Sequence, residues 1–212
     1  MGLHLPGSSF VNPNTPMRDA LTREACRRLI KLTAQNGEFT PLYKIITEYS
    51  IVNALVALLA TGGSTNHTIH LIAIARAAGI IVDWDDFSDL SAVTPLVTKI
   101  YPNGDADINH FHAAGGTGYL VRTLVDGGFM HQNVTTIMGQ GLSHYMQEPF
   151  LENNKVVWRD GVKSSLDKKV LSDYQHPFSP EGGVKLLTGN LGRAVIKLSL
   201  IHISEPTRPS QI

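Results

Sequence analysis

The sequence predicts an α/β fold in which helices outnumber strands. Several segments place apolar residues at helical spacing, whereas shorter apolar runs, typical of strands, follow glycine turns. No internal repeat or low-complexity tract interrupts the chain, and its 212 residues suffice for one large domain. A content of 42% hydrophobic and 17% charged residues is that of a soluble globular protein rather than a disordered one.

The charge balance and the cysteine count exclude several classes of function. Lysine plus arginine equals aspartate plus glutamate at 18 each, so no net field favours nucleic acid or acidic lipid. No apolar run reaches the roughly 18 residues of a membrane span, and the first residues lack the pattern of a signal peptide. The single cysteine, Cys26, excludes an intrachain disulfide framework. We therefore expect a cytoplasmic protein without nucleic-acid or membrane partners.

The first predicted helix begins after an irregular segment of about 14 residues. Thr15 is a suitable N-cap, Pro16 suits the first helical position, and Asp19 lies in the first turn. Asn36 and Gly37 supply the predicted stop. Between them, four apolar residues recur near helical spacing: Leu21, Ala25, Leu29 and Leu32.

A polar run rich in small residues separates the next two predicted helices, residues 42–60 and 65–78. A glycine pair ends the first of these helices, because glycine accepts the left-handed backbone at a C-terminus. Ser64, Thr65 or Asn66 can cap the second, whose free N–H groups and positive dipole end suit a carboxylate or phosphate. The alternative is a helix–helix turn with its own caps and no ligand. The candidate site residues are Gly62, Gly63, Ser64, Thr65, Asn66 and His67.

The remaining chain alternates short apolar runs with turns. Ile80–Val82 is a candidate buried strand, and the next helix starts near Asp83 with Ser88 or Ser91 available as its cap. A second glycine turn, Gly115-Gly116, precedes another helix. The other predicted elements are a strand or helix end at 96–101, a helix at 119–125, a strand at 134–138, a short helix at 139–146, a solvated polar segment at 152–175, and a strand followed by a turn at 184–191.

The nine histidines provide only weak evidence for a metal site. His67 and His70 are neighbours on a helix face, whereas His110 and His112 share one side if their segment is extended. Neither spacing is specific, and caps, core positions and surface positions account for histidines more often than metal ligands do. No Walker loop, GxSxG elbow or CxxC pair is present. The residues by themselves assign no catalytic group and no metal ligand.

Six segments, in the same order and spacing, closely resemble the phosphogluconate dehydratases of the dihydroxy-acid/phosphogluconate dehydratase family. The resemblance extends from residue 1 to about residue 197. The sister dihydroxy-acid dehydratases share the Gly-Gly-Ser-Thr-Asn core but look different around residues 6–13 and 107–111. The segments are 1–13, 58–70, 84–90, 101–104, 107–111 and 189–195.

The resemblance implies a hydro-lyase that dehydrates 6-phospho-D-gluconate to 2-dehydro-3-deoxy-6-phospho-D-gluconate in the Entner–Doudoroff pathway. It implies a [4Fe–4S] cluster that stabilises the departing hydroxide, and a divalent cation such as Mg²⁺ at the carboxylate end of the substrate. It also implies a homodimeric full-length protein. The partner is then a phosphorylated sugar acid, close to residues 62–67.

The resemblance further implies that the chain is an internal fragment. The family's cluster cysteines precede the segment resembling residues 1–13, and Cys26 lies in no ligand motif of the family. The domain that supplies the presumed serine base follows the segment ending at Val195. We therefore expect residues 1–175 to be part of the N-terminal domain and 176–197 to start the β-rich C-terminal domain. The fragment alone is then expected to be inactive, to bind no cluster and to be poorly soluble.

The last residues depart abruptly from the family. Residues 198–212 resemble the in-frame translation of a sequencing-library adapter, and we expect them to be non-native. Two other functions stay open: a dihydroxy-acid or sugar-acid dehydratase acting on an unphosphorylated substrate, and a cluster-free anion-binding or structural domain. A histidine-based metalloenzyme is a third.

Overall fold

The computed structural model describes residues 1–101 and 103–197 and contains helices joined to short antiparallel hairpins. The helices are α1 (Pro16–Lys31), α2 (Leu42–Ile45), α3 (Glu48–Ala60), α4 (Thr65–Ala77), α5 (Trp84–Val93), α6 (Ile108–Ala113) and α7 (Gly116–Asp126). The strands are β1 (Thr135–Thr136), β2 (Gly139–Gln140), β3 (Gln147–Glu152), β4 (Lys155–Asp160), β5 (Val184–Gly189) and β6 (Gly192–Lys197). Each strand pairs antiparallel with its neighbour in the chain. The predicted mixture of many helices with fewer strands is confirmed.

Helix α1 begins where the sequence predicts. The Oγ1 of Thr15 accepts the N–H of Arg18 at 3.2 Å, and proline occupies the first turn. The helix ends at Lys31, before the predicted stop, because the following turn folds back on it. The Nδ2 of Asn36 donates to the carbonyl of Ile30 at 2.9 Å, and the same carbonyl accepts the N–H of Thr33 at 3.2 Å.

Helix α3 is the centre of the fold, because it is buried on two sides. Val56 and Ala60 belong to a large cluster with α6, α7 and the segments around Leu142 and Leu171. Ile51, Leu55 and Leu58 face a second cluster formed with α4 and α5, where Phe87 is 2% exposed. Burial of each such side chain contributes about 1.5–3 kcal/mol. Truncation of α3 therefore affects both clusters.

The predicted helix at 42–60 is interrupted near residue 47. Thr47 adopts an extended conformation, and its Oγ1 accepts the N–H of Ser50 while the Ser50 Oγ accepts the N–H of Thr47. This reciprocal capping box starts α3 afresh. Neither glycine nor proline marks this break, so the apolar pattern of residues 42–60 predicts one continuous helix.

The hairpin β5–β6 packs against α5. The buried Oγ of Ser91 donates to the carbonyl of Val184 at 2.6 Å, and the N–H of Gly182 donates to the carbonyl of Ser91 at 2.8 Å. Arg193 on β6 forms an ion pair with Asp85 on α5. The predicted strand after residue 183 is therefore confirmed.

The prediction of a buried strand at Ile80–Val82 is wrong. The segment is an irregular connection between α4 and α5, and Ile81 is 88% exposed. A strand needs a partner ladder, and the described chain offers none there. The predicted cap of α5 is also wrong: Asp83 accepts the N–H groups of Asp85 and Asp86, whereas Ser88 and Ser91 lie inside the helix.

The prediction of a solvated segment at 152–175 is only partly correct. Residues 155–160 form β4, and Leu171 is fully buried because it bridges to Thr98. The N–H of Lys99 donates to the carbonyl of Val170 at 2.8 Å, and that of Ser172 to Val97 at 2.8 Å. Residues 96–100 are thus extended, one of the two predicted alternatives, and their partners come from the segment predicted to be solvated.

The region 134–146 contains less regular structure than predicted. The strand there shortens to β1, and residues 139–146 form β2 followed by a 3₁₀ turn, Ser143–Met146, rather than a helix. Gly139 and Gly141 have φ values of +118° and +85°, which disfavour a continuous helix. Of the described helices, none has the length and apolar character needed to cross a membrane. The adapter-like residues 198–212 lie outside the described residues.

Candidate functional site

The glycine pair ends α3 in a Schellman motif. Gly62 has a φ of +56°, and its N–H donates to the carbonyl of Leu59 at 3.2 Å. The N–H of Gly63 reaches back to the carbonyl of Leu58 at 2.9 Å. These two bonds satisfy carbonyls that a helix end otherwise leaves free. The prediction that this pair terminates the first helix is confirmed.

Of the three predicted candidates, Ser64 is the residue that caps the N-terminus of α4. Its backbone is extended, at φ −66° and ψ 140°, and its Oγ accepts the N–H of Asn66 at 3.2 Å. Thr65 and Asn66 are already helical, so they occupy the first turn rather than the cap. Within that turn the hydroxyl of Thr68 donates to the carbonyl of Thr65 at 2.6 Å.

The turn between α3 and α4 is held by contacts from two distant segments. The N–H of Val97 donates to the carbonyl of Ala60 at 2.9 Å, and the hydroxyl of Thr98 donates to the backbone carbonyl of Thr61 at 2.9 Å. The N–H of Gly183 donates to Leu59 at 3.0 Å. The backbone that precedes α4 is therefore fixed by hydrogen bonds on several sides.

Asn103 packs directly beneath the turn. The residue is fully buried, and neither its Oδ1 nor its Nδ2 has a hydrogen-bond partner among the described residues. A Cβ placed on Gly62 would overlap the Nδ2 of Asn103, and one placed on Gly183 would lie 2.5 Å from the Cα of Gly62. Close packing, as well as φ, thus requires glycine at position 62.

The structure keeps the predicted site residues together and exposes most of them. Gly62 is buried and Gly63 half-buried in the turn, whereas Ser64, Thr65, Asn66 and His67 are exposed at the N-terminus of α4. The positive end of the 13-residue helix α4 therefore faces solvent. A rigid turn followed by an exposed helix N-terminus can receive a carboxylate or phosphate.

The histidines do not converge. His110 and His112 lie on α6, about 200° apart around the helix axis, so the alternative of one shared extended side is wrong. The Nδ1 of His110 lies 2.8 Å from the Oδ1 of Asp107, which caps α6. The described part of the chain contains no group of three or more His, Cys, Asp or Glu residues that could hold a metal ion.

Asp107 is the carboxyl group with the clearest shift at this helix start. Hydrogen bonds lower the pKa of this carboxylate from 3.8 to about 2. The largest contribution comes from the N–H of His110, followed by the His110 side chain and the N–H of Asn109. The group is fully exposed, so the shift reflects capping and not burial. We therefore assign Asp107 a structural role in α6.

A cavity of about 380 Å³ lies at the N-terminus of α7, and the sequence did not predict a site there. Gly115 precedes this helix and supplies no side-chain cap. The sequence signals were the glycine turn and the resemblance of residues 1–13, of which Gly7, Phe10, Val11 and Asn12 line this surface. The lining includes Gly7, Phe10, Asn12, His112, Gly116 and Glu148.

Comparison with known proteins adds a family to this geometry. Residues 1–145 match the family model described as the dihydroxy-acid/6-phosphogluconate dehydratase N-terminal domain. The match covers more than half of the chain and includes α3, α4 and the turn between them. The chain belongs to this dehydratase family.

Among curated dehydratases, the similarity is graded. The chain is 59% identical over 201 residues to the phosphogluconate dehydratase of Pseudomonas aeruginosa, covering 95% of this chain and 33% of the relative. It is 56% identical over 203 residues to that of Escherichia coli K12, covering 96% and 34%. A dihydroxy-acid dehydratase of Parvibaculum lavamentivorans is 34% identical over 201 residues, covering 94% and 32%. The chain spans about a third of the length of these relatives.

The residues of this dehydratase segment do not fit an iron–sulfur cluster. Such clusters are held by several cysteine thiolates, and the chain has one cysteine, Cys26, exposed on α1. Side chains that could complete a ligand set do not gather around it in the described part of the chain. No chemical step of a cluster can therefore be derived from these residues.

Proposed function

We propose that this chain is part of a hydro-lyase that removes water from 6-phospho-D-gluconate and yields 2-dehydro-3-deoxy-6-phospho-D-gluconate. The observation that carries the proposal is the gradient of identity. Relatives named phosphogluconate dehydratase are 49–59% identical over 95% or so of the chain, against 34% for the relative named dihydroxy-acid dehydratase. The proposal places the full protein in the Entner–Doudoroff pathway of the cytoplasm.

Within that enzyme we propose that residues 62–67 lie close to the substrate or cofactor. The two glycines let the backbone approach a ligand closely, and the exposed start of α4 presents the positive end of the helix dipole to an anion. A sugar acid carries a carboxylate at one end and, when phosphorylated, a dianion at the other. Ser64, Thr65 and Asn66 add side-chain hydrogen-bonding groups.

We propose that residues outside this chain hold the [4Fe–4S] cluster and a divalent cation such as Mg²⁺. When bound, the cluster would act as a Lewis acid on the departing hydroxide. The domain division 1–175 and 176–197 and a homodimeric full-length protein are part of the same proposal. The chain alone is then inactive, because it lacks the cluster ligands and the presumed base.

A paired substitution on α4 tests the placement of the site. In the complete protein, His67→Ala and Asn66→Ala should each lower kcat/KM for 6-phosphogluconate at least roughly tenfold. His70→Ala is the matched control, because His70 is exposed on the same helix one turn further on. It should leave kcat/KM within about twofold. Equal effects of all three substitutions would contradict the placement while leaving the reaction itself in place.

A further inference from the structure

We propose that the buried side-chain amide of Asn103 strengthens anion binding at residues 62–67 from beneath the turn that precedes α4. Asn103 is a positioning residue in this account, because it is fully buried and supports the site through Gly62 without touching the ligand. The inference rests on the proposed function, which locates the anionic substrate or a cofactor at these residues. It adds a residue from a distant segment of the chain to that site.

The amide of Asn103 is buried without hydrogen bonds. Its side chain is 0% exposed, and neither Oδ1 nor Nδ2 has a partner among the described residues. Other buried polar side chains do have partners: the amide of Asn53 bonds the backbone of His131, and the hydroxyl of Ser91 donates to the carbonyl of Val184. An unpaired buried amide lowers stability, whereas an apolar side chain of the same shape does not. Stability therefore does not account for asparagine at this position.

The backbone around Asn103 directs the amide at the turn. The N–H of Asn103 donates to the carbonyl of Ile100 at 2.7 Å, and the N–H of Tyr101 donates to the carbonyl of Ala106 at 2.7 Å. Within the loop that these bonds close, the Nδ2 of Asn103 lies closer than its Cγ to the position of a Cβ on Gly62. The donor end of the amide consequently faces the turn.

The amide adds to the positive potential at the start of α4. Gly62 lies two residues before Ser64, the cap of this helix, whose positive dipole end is exposed. Because Nδ2 has no acceptor among the described residues, its positive partial charge is not compensated there, and burial limits screening by water. The helix dipole and the amide dipole together then stabilise a carboxylate or phosphate bound at the turn.

Substitutions of similar shape test this role in the complete protein. Asn103→Leu removes the amide dipole, and Asn103→Asp replaces the donor with a negative carboxylate at about pH 8. We expect the KM for 6-phosphogluconate to rise at least about threefold in Asn103→Leu and at least about tenfold in Asn103→Asp. The kcat should stay within about twofold of that of the unaltered enzyme, because the amide acts equally on bound substrate and transition state.

Competitive inhibition identifies the end of the substrate that the amide serves. Inorganic phosphate carries only the phosphate group, and gluconate carries only the carboxylate. The inhibition constant that rises in Asn103→Leu belongs to the group that binds at the start of α4. A rise for neither inhibitor would overturn the proposal.

Asn53→Leu is the matched control, because Asn53 is the other buried asparagine of the described chain. It should lower the melting temperature, since two hydrogen bonds are lost, and leave KM within about twofold. Asn103→Leu should do the opposite. An equal fall in melting temperature for both leucine variants would indicate a structural role of Asn103 and overturn the proposal.

Failure of this proposal and failure of the proposed function give different results. If the unaltered enzyme turns over 6-phosphogluconate but both Asn103 variants keep its KM, the proposal is overturned and the proposed function stands. If the unaltered enzyme does not turn over 6-phosphogluconate, the proposed function is contradicted, and this proposal falls with it.

Discussion

The side-chain amide of Asn103 occupies the space that a Cβ on Gly62 would fill. Gly62 also has a φ of +56°, so the chain needs glycine there for its conformation and for its packing. The contact connects the motif around Asn103 with the turn that starts α4. It explains why two segments far apart in sequence are required to position one helix N-terminus.

Alanine at position 62 should therefore be costly. We expect Gly62→Ala to reduce the free energy of unfolding by about 2–4 kcal/mol, because a left-handed backbone and a steric overlap act together. Urea denaturation of the 212-residue chain measures the loss. Gly37→Ala is the control, since nothing lies within 4 Å of its Cβ position. It should change stability by less than about 1 kcal/mol, and similar losses at both positions would contradict this account.

The two buried asparagines should respond differently to leucine. Asn53 exchanges two hydrogen bonds of 2.8 Å with the backbone of His131, whereas Asn103 has no partner among the described residues. We expect Asn53→Leu to cost about 1–3 kcal/mol and Asn103→Leu to cost less than about 1 kcal/mol. Urea denaturation decides between them. A larger loss at Asn103 would mean that its amide has a partner in solution.

The caps of α4 and α5 should differ in strength. Ser64 accepts one N–H, whereas Asp83 accepts two and its own N–H donates to the carboxylate of Asp86. We expect Ser64→Ala to cost about 0.5–1 kcal/mol and Asp83→Ala about 1–2 kcal/mol. Thermal melting of the two variants gives the order, and the reverse order would contradict the assignment of the caps.

Asp107 should titrate well below an ordinary aspartate. Its folded pKa of about 2 lies below the usual 3.8, so the capped state is favoured above about pH 4 and loses that advantage as the pH falls towards 2. Carboxyl chemical shifts followed by NMR should report the low pKa. His110→Ala should raise the pKa because one donor is lost, whereas His112→Ala should leave it unchanged. A normal pKa in the unaltered chain would show that the cap is absent.

Local signals in the sequence predicted the elements whose ends are determined by nearby residues. Thr15 and Pro16 mark the start of α1, and the glycine pair with Ser64 marks the turn before α4, because caps and left-handed glycines act within a few residues. The six candidate residues from Gly62 to His67 are consecutive in this turn, and their place at a functional site stays a prediction.

Distant partners account for what the sequence did not predict. Ile80–Val82 has the composition of a buried strand, yet the described chain supplies no ladder for it. Leu171 lies in a polar segment but is buried through its bridge to Thr98. Asn103 showed no sign of packing under Gly62, because no local rule links positions 41 residues apart.

The central claim is that the complete protein acts on phosphorylated sugar acid, and one measurement tests it most directly. The complete coding sequence, recovered from the flanking DNA, should be expressed and its cluster reconstituted without oxygen. The values of kcat/KM for 6-phosphogluconate and for dihydroxyisovalerate are then compared. We predict turnover of 6-phosphogluconate with the higher kcat/KM, and turnover of dihydroxyisovalerate without turnover of 6-phosphogluconate would contradict the claim.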